Sequence, residues 1–435
     1  MNERTENYVL DVVSQEELAE IHRRHVMFLT GKPGGARAVI KDKDFSELNF
    51  NGARFEQADF TGCVFRKSNM KKANFKSATL FGCDFSHCDM QGSDFSKADL
   101  RGADIQFSNL SHADFSKADL REGASVVKRK MKKSGEEFSN AKAGHVTFTG
   151  STLFNVNMRG ITAIHADFSD AIMEKVNLED ADLRDCSMKG TNLKSANLNN
   201  ADIRNANFFA ANLTDTRLDN SEKGGAEFKR TLLDDEQHEV FDEIELSLDE
   251  LVAKHVQWVG SAGKHGEQMN LSHYDMRKLG SLAEKKLTAI MSEDTIFADM
   301  NLQGIGLQSA RLSGSDFRQA DMRHADCRGA KMDKSIFVRT NLQHSNFGPL
   351  VFKGPGDSEK RQPCNLSDTV FRYADCKKSD FRYASFAGAD LTHTDFTDCD
   401  LRNADFTGAN LDETIFVNAL TSGAKFDKDP QTQDA

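Results

Sequence analysis

From Phe45 to Leu120 a large apolar residue returns at every fifth position: Phe45, Phe50, Phe55, Phe60, Phe65, Met70, Phe75, Leu80 and onward without a miss. Two places before the centre stands a small residue in fourteen of these sixteen repeats, as in Ala53, Ala58, Cys63, Ser68 and Ala73, and one place before stands mostly Asp or Asn. The frame restarts from Phe148 to Leu218, from Phe297 to Phe352 and from Leu366 to Phe426. A period of five matches neither a 3.6-residue helix nor an unbroken strand, but it fits a short strand followed by a corner. Alternation along the strand then points the small residue and the centre into one shared interior. The two residues after the centre, often including a glycine such as Gly52, Gly62 or Gly82, turn the chain, and the Asp or Asn before it satisfies turn amides. Each repeat makes one side of a coil.

Segments such as ADFTG, ADLRG and ADFSKADLRGAD resemble the pentapeptide-repeat family, and the resemblance covers most of residues 40 to 426. It implies a mainly β chain: a right-handed quadrilateral parallel β-helix, a solenoid with four repeats per coil. Residues twenty apart then stack, with Phe55, Phe75, Phe95 and Phe115 as one ladder of the core and Phe45, Phe65, Phe85 and Ile105 as another.

Ahead of the first array, Leu18, Ile21, His25, Phe28 and Leu29 recur at helical spacing, with Ser14 placed as an N-cap and the Gly31 region as the stop. The same pattern returns at Leu248, Leu251, His255 and Trp258, with Leu271 answering Ile40 beyond the glycine loop, so the chain reads as a duplication of two tandem modules, each preceded by a short helical cap. The expected division is a cap over 1–40 and a first β-helix over 41–233 with an excursion loop at 121–143. An acidic linker and second cap follow over 234–296, then a second β-helix over 297–426 with a loop at 353–363, and a disordered tail over 427–435. The acid-rich stretch from Asp234 to Glu250 is expected to be a partly helical cap or linker. No helix signal follows Phe426, which makes the last coil a candidate homodimer end.

Phe numbers 32 against 4 Tyr and 1 Trp, as an interior lined by the repeat requires. No apolar run reaches the roughly 20 residues of a membrane span. The opening MNERTENYVLDVV lacks the layout of a secretory leader, so a cytoplasmic address is expected. All eight Cys fall on inward positions of the frame with no CxxC pair, which reads as buried packing rather than a disulfide or zinc framework. His22 and His25 stand three apart on the expected helix, a spacing that suits a metal, but the second copy keeps only His255 with Val252 in the other place. His25, Phe28, His255 and Trp258 are therefore read as cap residues, and no metal or cofactor is expected. GKPGG at Gly31 and GSAGKH at Gly260 lack the spacing of a phosphate loop. The outward carboxylates serve every corner alike and mark no acid/base pair, so an enzyme is not expected.

Candidate partner contacts are the basic loop, Lys128, Arg129, Lys130, Lys132 and Lys133, and the outward aromatics Phe81 and Phe107. The basic stretch Arg66, Lys67, Lys71, Lys72 and Lys76 spreads over successive sides as a belt. The favoured function is a non-catalytic protein–protein interaction scaffold with a partner of unknown identity. The family resemblance implies an alternative, a DNA mimic that modulates or protects DNA gyrase or topoisomerase IV. It is not favoured here, because the net charge of -11 is concentrated between the modules rather than along the first rod. A third reading is contact with nucleic acid or an anionic membrane through the basic loop 128–133.

Overall fold

Asn74 pairs in parallel with Asp94 and Asp94 with Asp114, each bridge stepping twenty residues along the chain, so four five-residue repeats close one coil. The computed structural model describes residues 10–130, 137–234, 238–241, 247–353 and 359–427. They fall into two units, Met1–Asp234 and Asp235–Ala435, and each is a β-helix solenoid with its own continuous apolar core.

The centres point inward as the strand alternation requires. Phe55, Phe75, Phe95 and Phe115 stack with ring centroids 5.8, 5.3 and 4.9 Å apart, and all four are buried. The backbone supplies the spacing: the amides of Phe55, Phe75 and Phe95 donate to the carbonyls of Asn74, Asp94 and Asp114, each at 2.7 Å. Phe45, Phe65 and Phe85 form the second ladder at 5.3 and 4.9 Å. Each buried ring is worth about 1.5–3 kcal/mol against the cost of ordering its repeat. Stability is therefore a sum over neighbouring coils.

The small inward position also carries a polar duty. Ser68 and Ser108 donate their hydroxyls to the carbonyls of Phe45 and Phe85, the centres one coil back, at 2.8 and 2.7 Å. Cys83, Cys88 and Cys186 do the same through Sγ to Phe60, Phe65 and Ala163. A cysteine here is a small apolar side chain with a weak donor, standing where serine also serves. All eight cysteines are free and buried, and burial pushes the thiols of Cys63, Cys88 and Cys399 up to about 12.

At the corners the carboxylate before the centre accepts the amide after it, as Asp44 does from Ser46 and Asp114 from Ser116, both at 2.8 Å. The following residue takes a left-handed conformation, with φ of 58° at Lys67 and 61° at His87 as well as 65° at Gly52. Glycine suits this corner but is not obligatory, since the turn is over-determined by ladder bonds on both sides.

In the first unit, β1 (Asp11–Val12) pairs in parallel with β2 (Lys43–Asp44), and between them runs α1 (Gln15–Leu29). A capping box fixes its start: Glu17 N–H donates to Ser14 Oγ at 3.2 Å and Ser14 N–H donates to Glu17 Oε2 at 2.8 Å. The excursion after Leu120 is an antiparallel hairpin of β3 (Gly123–Lys130) and β4 (Glu137–Gly144). The wall resumes in phase behind it, with Asp104 bridging Thr147 and Asp119 bridging Thr162.

The second unit repeats the plan: β5 (Glu239–Val240), α2 (Leu248–Gly260) capped by Ser247, and β6 (Tyr274–Asp275), with β5 and β6 parallel. Of the acidic stretch Asp234–Glu250, the described part holds the short strand β5, which pairs with β6 as β1 does with β2, and the first turn of α2 from Leu248 to Glu250. Residues 235–237 and 242–246 lie outside the described residues. The rungs also begin earlier than 297, with Asn270 bridging Met291 and Asp275 bridging Ile296. Two things hide this start in the sequence. A 3-10 turn at Arg277–Leu279, ending on Gly280 at φ 68°, adds one residue between the centres Met276 and Leu282, and Ser292 occupies a buried centre.

A second hairpin, β7 (Leu350–Lys353) with β8 (Glu359–Gln362), leaves this wall where Lys331 bridges Asn365. Phe352, read from the frame as an inward centre, belongs to this hairpin and is 45% exposed. Pro349 before it has no amide for the ladder, and the chain departs there. Residues 354–358 and the tail from 428 lie outside the described residues.

Candidate interaction surface

Three parts of each unit face outward with distinctive chemistry: the helix at its first coil, the projecting hairpin and the charged corners.

The helix meets the coil edge through side chains that replace a missing strand. The Gln15 amide donates to Asn49 O at 3.1 Å and its Oε1 accepts Asn49 N–H at 2.9 Å. His22 Nε2 accepts the Arg54 amide at 3.0 Å, and Arg37 donates to Gln57 O at 2.6 Å. His25 is fully committed: Nδ1 accepts the Ala38 amide at 3.0 Å, so Nε2 carries the proton and donates to Glu56 O at 3.0 Å. Its ring lies between Phe28 at 5.8 Å and Phe55 at 5.5 Å. His255 repeats the arrangement, with Nδ1 accepting Met269 N–H at 3.1 Å, Nε2 donating to Thr288 O at 2.9 Å and Trp258 stacked at 5.9 Å. Desolvation lowers the pKa of both histidines. Neither ring nitrogen of His25 or His255 is left for a metal.

Of the basic-loop residues, Lys128, Arg129 and Lys130 run in β3, while Lys132 and Lys133 lie outside the described residues. Phe81 is not the free anchor the sequence suggests. Arg101 lies over its ring at 5.2 Å, and a Cβ on Gly123 would come within 2.8 Å of that ring, so Phe81 seats the base of the β3–β4 hairpin. Phe107 is 38% exposed and stacks on His87 at 5.2 Å. These two aromatics are thus not one patch.

One exposed apolar group is one the repeat frame concealed. Val351 and Phe352 on β7 are 47% and 45% exposed. Beside them Arg361 on β8 packs over Tyr383 at 5.0 Å and donates to its hydroxyl at 2.9 Å. The signal was available as Gly348-Pro349 breaking the frame ahead of Val351.

Many of the outward carboxylates pair with arginine. Asp182, Arg184, Asp202, Arg204 and Glu222 form one alternating ladder with contacts of 2.8, 3.5, 2.6 and 3.3 Å. Asp380, Arg382, Asp400 and Arg402 form another at 2.6, 3.6 and 2.6 Å. The hydrogen-bonded guanidinium of Arg204 holds the Asp202 carboxyl below its usual range, and Arg402 does the same for Asp400. In the belt, Arg66 and Lys71 pair with Asp84 and Asp89 at 2.6 and 3.0 Å. These are alternating surfaces, not single-sign ones.

A coil of four five-residue repeats, with small inward residues and Asp or Asn corners, defines a protein built of pentapeptide repeats. The chain belongs to the pentapeptide-repeat family: the family model described as a pentapeptide repeat region matches residues 38–115. That described as pentapeptide repeats (8 copies) matches 154–190, 164–200, 186–222, 301–337, 310–348 and 384–420. Among solved structures, full-length QnrB1, a plasmid-mediated fluoroquinolone resistance protein, is similar at 20% identity over 46% of this chain and 94% of its own, with a TM-score of 0.22. HetL, a pentapeptide repeat protein involved in heterocyst differentiation regulation from the cyanobacterium Nostoc sp. strain PCC 7120, shares 16% identity over 91% of this chain and 94% of its own, with a TM-score of 0.13. Rfr23 from the cyanobacterium Cyanothece 51142 shares 26% identity over 30% of this chain and 88% of its own, with a TM-score of 0.16. Comparison with curated proteins returns no match. No helix among the described residues is long and apolar enough to cross a membrane.

Proposed function

We propose that this chain is a non-catalytic protein–protein interaction scaffold: two right-handed quadrilateral β-helices, each covered at its first coil by a helix, presenting projecting hairpins to a protein partner. The observation that carries the reading is the β7–β8 hairpin, where Val351 and Phe352 stand exposed beside the Arg361–Tyr383 pair on a rigid wall. Exposed aromatic and aliphatic groups flanked by arginine are the usual anchors of a protein interface. The free, buried cysteines suit a reducing compartment such as the cytoplasm. The test is affinity capture with the native chain and a Val351→Ser, Phe352→Ser double variant. A stoichiometric protein lost from the variant supports the scaffold; equal recovery by both removes the hairpin as its contact.

The arginine-paired carboxylates argue against the DNA-mimic reading, since a mimic needs an unneutralised acidic stripe along the rod. A gyrase supercoiling assay showing inhibition or protection by this chain would reverse that judgement. The basic hairpin keeps its place as a second contact for an acidic surface, whether nucleic acid, membrane or protein. Charge reversal of Lys128, Arg129, Lys130, Lys132 and Lys133 that leaves all such binding unchanged would remove it. The last coil favours a homodimer, because Ile415, Val417 and Leu420 are exposed on it. Sedimentation of a Val417→Lys, Leu420→Lys variant as the same species as the native chain would reject that contact.

A further inference from the structure

The two units differ in most side chains where helix meets coil, yet both place a histidine at the same point with both ring nitrogens bound to backbone. In each, Nδ1 accepts an amide from the segment after the helix, Ala38 or Met269, and Nε2 donates to a first-coil carbonyl, Glu56 or Thr288. A neutral imidazole can make both bonds; an imidazolium carries a proton on each nitrogen and can only donate. We propose that α1 and α2 are acid-released latches: protonation of His25 and His255 sets an N–H against the amides of Ala38 and Met269 and frees each helix from the first coil of its unit. This rests on the reading of the helices as covers.

The surroundings act in the same direction. His25 and His255 are buried, and among the described residues no carboxylate is hydrogen-bonded to either ring. Around His25 the charged or titratable groups are Glu56 from the coil, which favours the cation, and Arg37 from the following loop and His22 from α1, which oppose it. His22 itself accepts the Arg54 amide and is depressed, first by desolvation and then by Arg54, so acid breaks a second contact of α1. Among the described residues His255 meets backbone polar groups and Trp258; the ion pair joining the same helix to the coil, Asp249 with Lys285 at 2.5 Å, sits in the first turn of α2. Both histidines are lowered from the ordinary 6.5 chiefly by burial. The folded state thus disfavours the proton, the unfolded state binds it more readily, and stability is fully present above 6.5 and falls as pH drops toward the folded pKa.

The second unit offers the cleaner experiment, since His255 acts there without a His22 counterpart. Hydrogen exchange of the full chain is followed by mass spectrometry for peptides over 247–270 and 271–300, at about pH 7.5 and about pH 5, corrected for intrinsic rates. The expected result is a loss of protection over 247–270 at the lower pH, in the direction set by a histidine that the folded state holds neutral. His255→Gln, which can accept and donate but does not titrate, should keep its protection at both. Equal native protection at the two pH values overturns the proposal, as does a variant that loses protection like the native chain. If Trp258 emission shows the variant misfolded at neutral pH, the NMR titration of His255 in the native chain decides, and a pKa at or above 6.5 overturns the latch. Opening of 247–270 in acid while 271–300 stays fully protected would instead remove the covering role and leave the latch standing.

Discussion

Removing one ring from the middle of a ladder should show how locally this fold is stabilised. Phe317 is buried, with Phe297 stacked on one side at 5.1 Å and Phe337 on the other at 5.0 Å, tilted by only 11° and 9°. Phe317→Ala forfeits about 2–3 kcal/mol of burial and two ring contacts of about 0.5–1.5 kcal/mol each, giving a loss of about 3–6 kcal/mol. Phe317→Leu keeps most of the volume, and leucine already serves as a centre at Leu302 and Leu312, so its cost should stay under about 1.5 kcal/mol. Trp258, the chain's one tryptophan, lies in the same unit and reports its urea unfolding. With a slope of about 2 kcal/mol per molar urea, the alanine variant should unfold about 2 M earlier than the native chain at an unchanged slope. A midpoint shift below about 0.5 M, or no larger than that of the leucine variant, would refute the claim that stacked rings carry the interior.

Phe426→Ala, at the last coil with one parallel neighbour in Phe406 at 4.7 Å, should cost about half as much in the same assay. Cys88→Ser should change stability by less than about 1 kcal/mol because Ser108, one coil on, already makes the equivalent bond. Native cysteines should resist a thiol reagent at mildly alkaline pH and react fully in urea, since their thiols are buried and Cys88 is pushed up to about 12; labelling in the folded state would contradict the packing. Ser14→Ala should loosen α1 by about 1 kcal/mol, read as faster exchange of its first-turn amides. Asp202→Asn should move global stability by under about 1 kcal/mol and more at low salt, because its arginine partners are half exposed.

The solenoid was legible because its code is local. Each centre, small residue and corner carboxylate is specified within five residues, and the ladders Phe55–Phe115 and Phe45–Ile105 stand where the spacing put them. The legibility fails where the code is broken by one residue or imitated by chance. The turn before Gly280 shifts the phase of the second array, Ser292 removes an apolar marker, and Phe352 falls in frame but outside the wall. Phe81 could not be assigned from sequence because its cover, Arg101 and Gly123, stands 20 and 42 residues further along the chain. The shared histidines were visible as a duplication, but the tautomer and its two backbone bonds depend on groups some thirteen and thirty residues distant.

The twenty-residue step has a bearing on how such a chain can change. It works like a screw thread: the wall accepts an added segment only if the chain re-enters on the same turn, as it does after both hairpins, where Asp104 meets Thr147 and Lys331 meets Asn365. Losing a single repeat from the wall would leave every later centre buried while advancing the whole downstream exterior by one side, so an outward stripe would be cut and displaced without any injury to the core. Lengthening by whole turns, and decoration outside the thread, are the changes that preserve what the exterior displays.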